Sequence, residues 1–110
     1  MHKVLITQFA KDNLNFIHSY YKSTASIAVA DKIKSEIKTA ILTLKDDKLN
    51  FQEDDFLIFL GKKHRRLICG NYKIIYYRDY ENQITYITDV FDSRQDPEKE
   101  LLQHNTPINH

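Results

Sequence analysis

The densest concentration of charge in this 110-residue chain is the run Lys62-Lys63-His64-Arg65-Arg66. Lysine and arginine donate charged hydrogen bonds, so such a run can grip phosphate or carboxylate, with arginine using a planar fork. The plainer reading is a solvated loop and strand start, in which Arg65 or Arg66 pairs with the acidic Glu53-Asp54-Asp55. The residues themselves favour neither. Lys73 alternates out of an apolar stretch, which points to a working surface position. Arg94 either joins the cations or holds the C-terminal segment against a sheet. Tyr72, Tyr76 and Tyr86 suit sheet packing better than catalysis. Cys69, inside an apolar run, reads as a small buried hydrophobe, since a reactive thiol needs an accessible, electropositive site. His2, His18, His64, His104 and His110 show no metal-ligand spacing, so no metal is expected. Gly61 and Gly70 stand apart, so there is no glycine-rich cradle and no cofactor is expected.

These side chains need elements to hold them. Val4 to Thr7 reads as an opening strand, with Thr7 free to cap the first helix. Ala10, Leu14, Ile17 and Tyr21 recur at helical spacing across residues 8–22 and form one apolar stripe. Ser23-Thr24-Ala25-Ser26 breaks the pattern and offers new caps. Ala30, Ile33, Ile37, Ile41 and Leu44 then mark a second, longer helix. So short a break predicts a helical hairpin. Residues 46–63 are ambiguous: an acidic stretch, then Phe56-Leu57-Ile58-Phe59-Leu60 ending at Gly61, which fits a short helix or a strand. The C-terminal half reads as β. Residues 65–69 and 72–78 flank Gly70-Asn71, a pair suited to a tight hairpin, and residues 83–91 come after a second turn at 79–82. Tyr72, Ile74 and Tyr76 share one face of their strand; Lys73, Ile75 and Tyr77 share the other. Asp96-Pro97-Glu98 opens a last helical turn or two, and residues 103–110 read as a frayed tail.

Composition bounds the function. The length fits a single domain over residues 1–110. Hydrophobic residues at 42% and charged residues at 28% are those of a globular chain rather than a disordered one. One cysteine excludes an intrachain disulfide, and no apolar run is long enough to span a bilayer. The expected compartment is the cytoplasm. Sixteen Lys and Arg against 15 Asp and Glu leave +1, so any basic surface must be a local patch rather than a global field.

The stretch Arg65-Arg66-Leu67-Ile68-Cys69-Gly70-Asn71-Tyr72-Lys73-Ile74-Ile75-Tyr76 resembles the signature of RelE/ParE toxins: arginine, apolar strand, glycine, then Tyr-Arg/Lys-apolar-apolar-Tyr. Val90-Phe91-Asp92-Ser93-Arg94-Gln95-Asp96-Pro97 resembles that family's closing strand, where an arginine precedes an Asp-Pro or Asn-Pro pair. The resemblance spans residues 4–102. It implies an α+β fold of strand, two-helix hairpin and three-stranded antiparallel meander with a short C-terminal helical segment. It also implies a toxin of a bacterial type II toxin–antitoxin system, silenced by an antitoxin bound in the apolar groove between helices and sheet edge.

The resemblance offers two activities. One branch cleaves mRNA on the ribosome. By position, Lys73 falls where that branch has a phosphate-holding arginine, Lys62 and Lys63 fall among its lysines, and Arg94 falls near its C-terminal arginine, with Arg65 a further candidate. Its proton-transfer Tyr or His has no counterpart here, because no tyrosine follows Phe91 and the histidines beyond it, His104 and His110, lie in the tail. The other branch, ParE-like, inhibits DNA gyrase by binding, without catalytic residues. Arg94-Gln95-Asp96-Pro97 and the balanced charge sit closer to it. The expected docking residues, for target or antitoxin, are Lys62, Lys63, Arg65, Arg66, Lys73 and Arg94. A third possibility is an inactive relative that binds antitoxin and serves in operon autoregulation.

Overall fold

The computed structural model of the chain describes residues 2–46, 48–51 and 63–92. Strand β1 (Lys3–Ile6) leads into helix α1 (Gln8–Thr24) and helix α2 (Ile27–Leu42). A single 3₁₀ turn at Thr43–Lys45 comes next, and strands β2 (Arg65–Cys69), β3 (Tyr72–Asp79) and β4 (Ile84–Asp92) complete the described order. The expected element at 56–60, the acidic residues 53–55, the helical start at Asp96-Pro97 and the tail all lie outside the described residues.

Both helices start where their caps dictate. Thr7 Oγ1 accepts the Ala10 amide at 3.2 Å, and Ser26 Oγ accepts the Val29 amide at 3.1 Å, each satisfying a donor that the first turn leaves without a partner. The first helix runs to Thr24 rather than stopping at Lys22: the Ser23 and Thr24 hydroxyls both donate back to the Tyr20 carbonyl, which keeps those residues within the last turn. Ala10 and Leu14 are buried on α1, Ala30, Ile37 and Ile41 on α2. Fully burying an aliphatic side chain stabilises by roughly 1.5–3 kcal/mol, so these stripes hold the hairpin on the sheet. Polar links cross between the helices: His18 Nε2 lies 2.7 Å from Asp31 Oδ1, and Lys34 Nζ donates to Asn15 Oδ1 at 3.0 Å.

The sheet has the order β1-β4-β3-β2. The meander is antiparallel as expected, Arg65 facing Tyr76 and Lys73 facing Phe91. Gly70 takes φ +59° in the hairpin turn, a conformation that suits glycine. The first strand adds a pairing that the sequence did not assign: β1 runs parallel to β4, Lys3 opposite Ile84 through Ile6 opposite Ile87. The sheet is therefore mixed and four-stranded.

A register shift near Ile75 and Tyr76 leaves Thr88 as an extra residue on β4, so Ile87 and Val90 both reach the helix side. That side carries the main core: Tyr72, Ile74, Tyr76, Ile87 and Val90 against Ala10, Leu14, Ile37, Ile41 and Leu44. On the opposite side Ile75 and Phe91 form a separate buried pair. That face is partly exposed, as expected, around a buried apolar centre. Among the described residues, no helix is long and apolar enough to cross a membrane.

Candidate functional site

Period-two alternation sorts the candidate cations. Arg65 faces Tyr76 across the β2–β3 ladder and so lies on the helix side. Its Nη1 donates to the Phe51 carbonyl at 2.8 Å. Arg66 faces Ile75 and lies on the opposite, outer side. Lys73 is also on the outer side, its ammonium 5.3 Å from the Phe91 ring centroid, a cation–π geometry. Lys63 is exposed just ahead of β2. Lys62 and Arg94 lie outside the described residues. Of the expected docking residues, the fold thus brings Arg66 and Lys73 onto one face and turns Arg65 onto the other.

Three aromatic side chains, His64, Tyr77 and Tyr86, join the outer face. Tyr77 is 42% exposed, and its ring lies 5.8 Å from that of His64, tilted by 48°. Tyr86 sits opposite Tyr77 on β4, and Ile68, 52% exposed, sits opposite Lys73 on β2. The outer face is therefore a buried apolar centre, Ile75 and Phe91, bordered by cations, a histidine and tyrosines. Such a surface offers charged donors to anions and flat rings to bases or side chains. Asp89, fully buried and opposite Ile75 in the ladder, accepts the Asn13 side-chain amide at 2.7 Å, which ties α1 to the part of β4 beyond its pairing with β1.

The helix side holds a residue that sequence reasoning passed over. Arg78 is 6% exposed. Its Nε donates to Asn50 Oδ1 at 2.9 Å, Nη1 to the Leu44 carbonyl at 2.9 Å and Thr85 Oγ1 at 2.7 Å, and Nη2 to the Asp46 carbonyl at 3.1 Å and the Leu49 carbonyl. A guanidinium has five N–H bonds, and all five find acceptors here. No carboxylate is among these five acceptors; carbonyl and hydroxyl oxygens solvate the buried charge. A signal was present, since Arg78 shares parity with Tyr72, Ile74 and Tyr76, and a cation on an apolar face must find a partner. Thr85 Oγ1 lies 3.3 Å from His2 Nδ1, and buried His2 packs edge-on against Tyr80.

Burial pushes the Tyr76 hydroxyl above its ordinary range, against the opposing pull of the Phe51 amide and of Arg78 and Arg65. Burial, with a smaller contribution from Glu36, also raises the Cys69 thiol, the direction of an unreactive cysteine. Asp79 goes the other way: the side chain and amide of Asn82 both donate to it and hold its carboxyl below the ordinary value. Among the described residues no group of three or more His, Cys, Asp or Glu is placed to hold a metal.

Comparison with known proteins places this arrangement. A family model described as the ParE toxin of type II toxin-antitoxin system, parDE, matches residues 4–97. No curated protein matches the sequence. Among solved structures, a chain from "Chromosomal ParDE TA system from P. aeruginosa" superimposes with a TM-score of 0.72 at 14% identity, over 84% of this chain and 96% of that one. At that identity the likeness is one of fold.

Proposed function

We propose, from the premise that the chain belongs to the ParE toxin family of type II toxin–antitoxin systems, that it arrests growth by binding DNA gyrase and is neutralised by a cognate antitoxin. The observation that carries this reading is the family match over residues 4–97, which favours the ParE over the RelE branch. The outer face supplies the chemistry for docking: Arg66 and Lys73 as charged donors, with Tyr77 and Tyr86 as rigid contact area, and Lys63 stands exposed just ahead of β2. Lys62 and Arg94, which lie outside the described residues, stay in the proposal by their place in the sequence alone. Arg65, whose Nη1 is bound to Phe51, contributes by fixing the start of β2. The antitoxin contact falls to the exposed apolar residues of the helix layer, Phe16 at 73% and Tyr20 at 54%. An apolar helix or strand of the antitoxin fits such a surface.

A second reading, mRNA cleavage on the ribosome, draws on one observation. The His64 and Tyr77 rings meet at a tilt on the face that carries Arg66 and Lys73, and an imidazole beside cations is a composition that can serve phosphodiester cleavage by a 2′-hydroxyl. The two readings separate in one experiment. Purified protein is assayed in parallel for inhibition of gyrase supercoiling and for cleavage of ribosome-bound mRNA. Loss of supercoiling with intact mRNA is expected, and antitoxin should restore supercoiling. Cleavage with gyrase unaffected overturns the proposal. Normal growth on expression without antitoxin points to an inactive relative kept for operon autoregulation.

A further inference from the structure

We infer that Asp46 and residues 48–51 belong to a strap, clasped to the sheet by Arg78, Tyr76 and Arg65, that opens as a unit while the helices and sheet stay folded. The inference is independent of the toxin's target. Every clasp bond runs between a sheet side chain and the strap or its hinge: Arg78 to the carbonyls of Leu44, Asp46 and Leu49 and to the Asn50 side chain, Arg65 to the Phe51 carbonyl at 2.8 Å, and the Phe51 amide to Tyr76 Oη at 2.9 Å.

Apolar burial hardly contributes between the ends. Leu44, fully buried, anchors the hinge, and Phe51 packs partly on the core, while Asp46, Lys48, Leu49 and Asn50 are exposed. A segment held by polar bonds at the surface belongs to the low end of local stability, because its opening exposes little apolar area.

The chemistry of Arg78 makes the opening cooperative. A buried guanidinium that loses some acceptors and keeps its burial suffers the cost of an unsatisfied charge. Once the strap lifts away, water reaches the guanidinium and the freed carbonyls together, so the fully open state escapes that penalty. Partial opening is the least favourable arrangement. The strap therefore moves between closed and open, and opening removes the Phe51 carbonyl that holds Arg65 at the start of β2, beside His64 and Arg66. The state of the strap thus bears on how the basic segment is anchored.

Native-state hydrogen exchange on the full chain tests this. In the natural protein the Phe51 amide should be protected, yet exchange about a hundredfold faster than the slowest amides of β3 and β4. Arg78→Gln removes bonds that only the closed state has, so it should speed Phe51 exchange about tenfold or more. It should lower the protection of the slowest β3 and β4 amides by a similar factor, leaving the gap between them in place. Should Arg78→Gln fail to fold, Tyr76→Phe decides instead: it keeps the ring in the core, removes the acceptor of the Phe51 amide, and should speed Phe51 exchange while its dependence on urea stays weak. The inference is overturned if Phe51 exchanges as slowly as the sheet core in the natural protein. It is equally overturned if the folded variant leaves Phe51 unchanged, or if urea accelerates Phe51 exchange as steeply as that of the slowest sheet amides, which marks global rather than strap opening.

Discussion

Strand β3 presents two faces built from one eight-residue segment, and they work differently. Toward the helices stand Tyr72, Ile74, Tyr76 and Arg78, all buried, with their polar atoms engaged: Tyr72 donates to the Tyr21 hydroxyl at 2.8 Å, and Arg78 fills all five of its donors. Away from the helices stand Lys73, Ile75 and Tyr77, where only Ile75 is buried and the polar groups lie at intermediate or exposed positions. Cation or tyrosine identity therefore does not decide role. Parity in the strand does. Arg65 and Arg66, adjacent in sequence, fall on opposite sides of the same division and have different surroundings.

The contrast between the faces can be broken most forcefully in the core. Tyr76→Ala, which empties a site with no exposure, should cost about 3–5 kcal/mol in chemical denaturation, enough to unfold a domain of this size at growth temperature. A loss below about 1 kcal/mol would mean that the helix-side face is not the core.

Arg78→Met comes next. It removes the clasp and should lower stability by about 2–3 kcal/mol, a loss limited because the freed carbonyls can turn to water. Arg65→Ala removes one bond to a carbonyl and should cost about 1 kcal/mol.

On the outer face the expected signs separate. Lys73→Ala and Arg66→Ala should each change stability by less than about 1 kcal/mol, the range of a cation–π contact or a surface charge. The same variants should weaken inhibition of gyrase by roughly tenfold, if each supplies one charged hydrogen bond to the target. Variants that lose several kcal/mol and keep full inhibition would reverse the assignment of the two faces.

The smallest effect concerns pH. Asp79 is held below its ordinary value by Asn82, so the folded state favours its charged form. That contribution is present above the unfolded carboxylate value, about pH 4, and fades as pH falls through the lower folded value. Asp79→Asn should lower stability slightly at neutral pH, where the contribution is present, and so flatten the acid limb of a stability-versus-pH curve below about pH 4. An acid limb identical in the variant would remove Asp79 from the account.

Much of the fold was legible in the chain itself. The helical stripe from Ala10 to Tyr21, the caps Thr7 and Ser26, the Gly70-Asn71 turn and the alternation of Tyr72 to Tyr77 are local signals, because caps, turns and periodicity act over a few residues. The signature from Arg65 to Tyr76 carried the family, and the family model agrees over residues 4–97.

Only tertiary structure decided the relations between distant segments. The parallel pairing of β1 with β4 joins residues about eighty positions apart, and nothing in Val4 or Leu5 specifies which strand they meet. The extra residue at Thr88 re-aims Val90 and Phe91, and the acceptors of Arg78 come from positions 44–50 and 85. The physical reason is the same in each case. Hydrophobic periodicity states that a side chain must be buried or paired, whereas the partner is chosen by closing loops whose ends the local sequence does not describe.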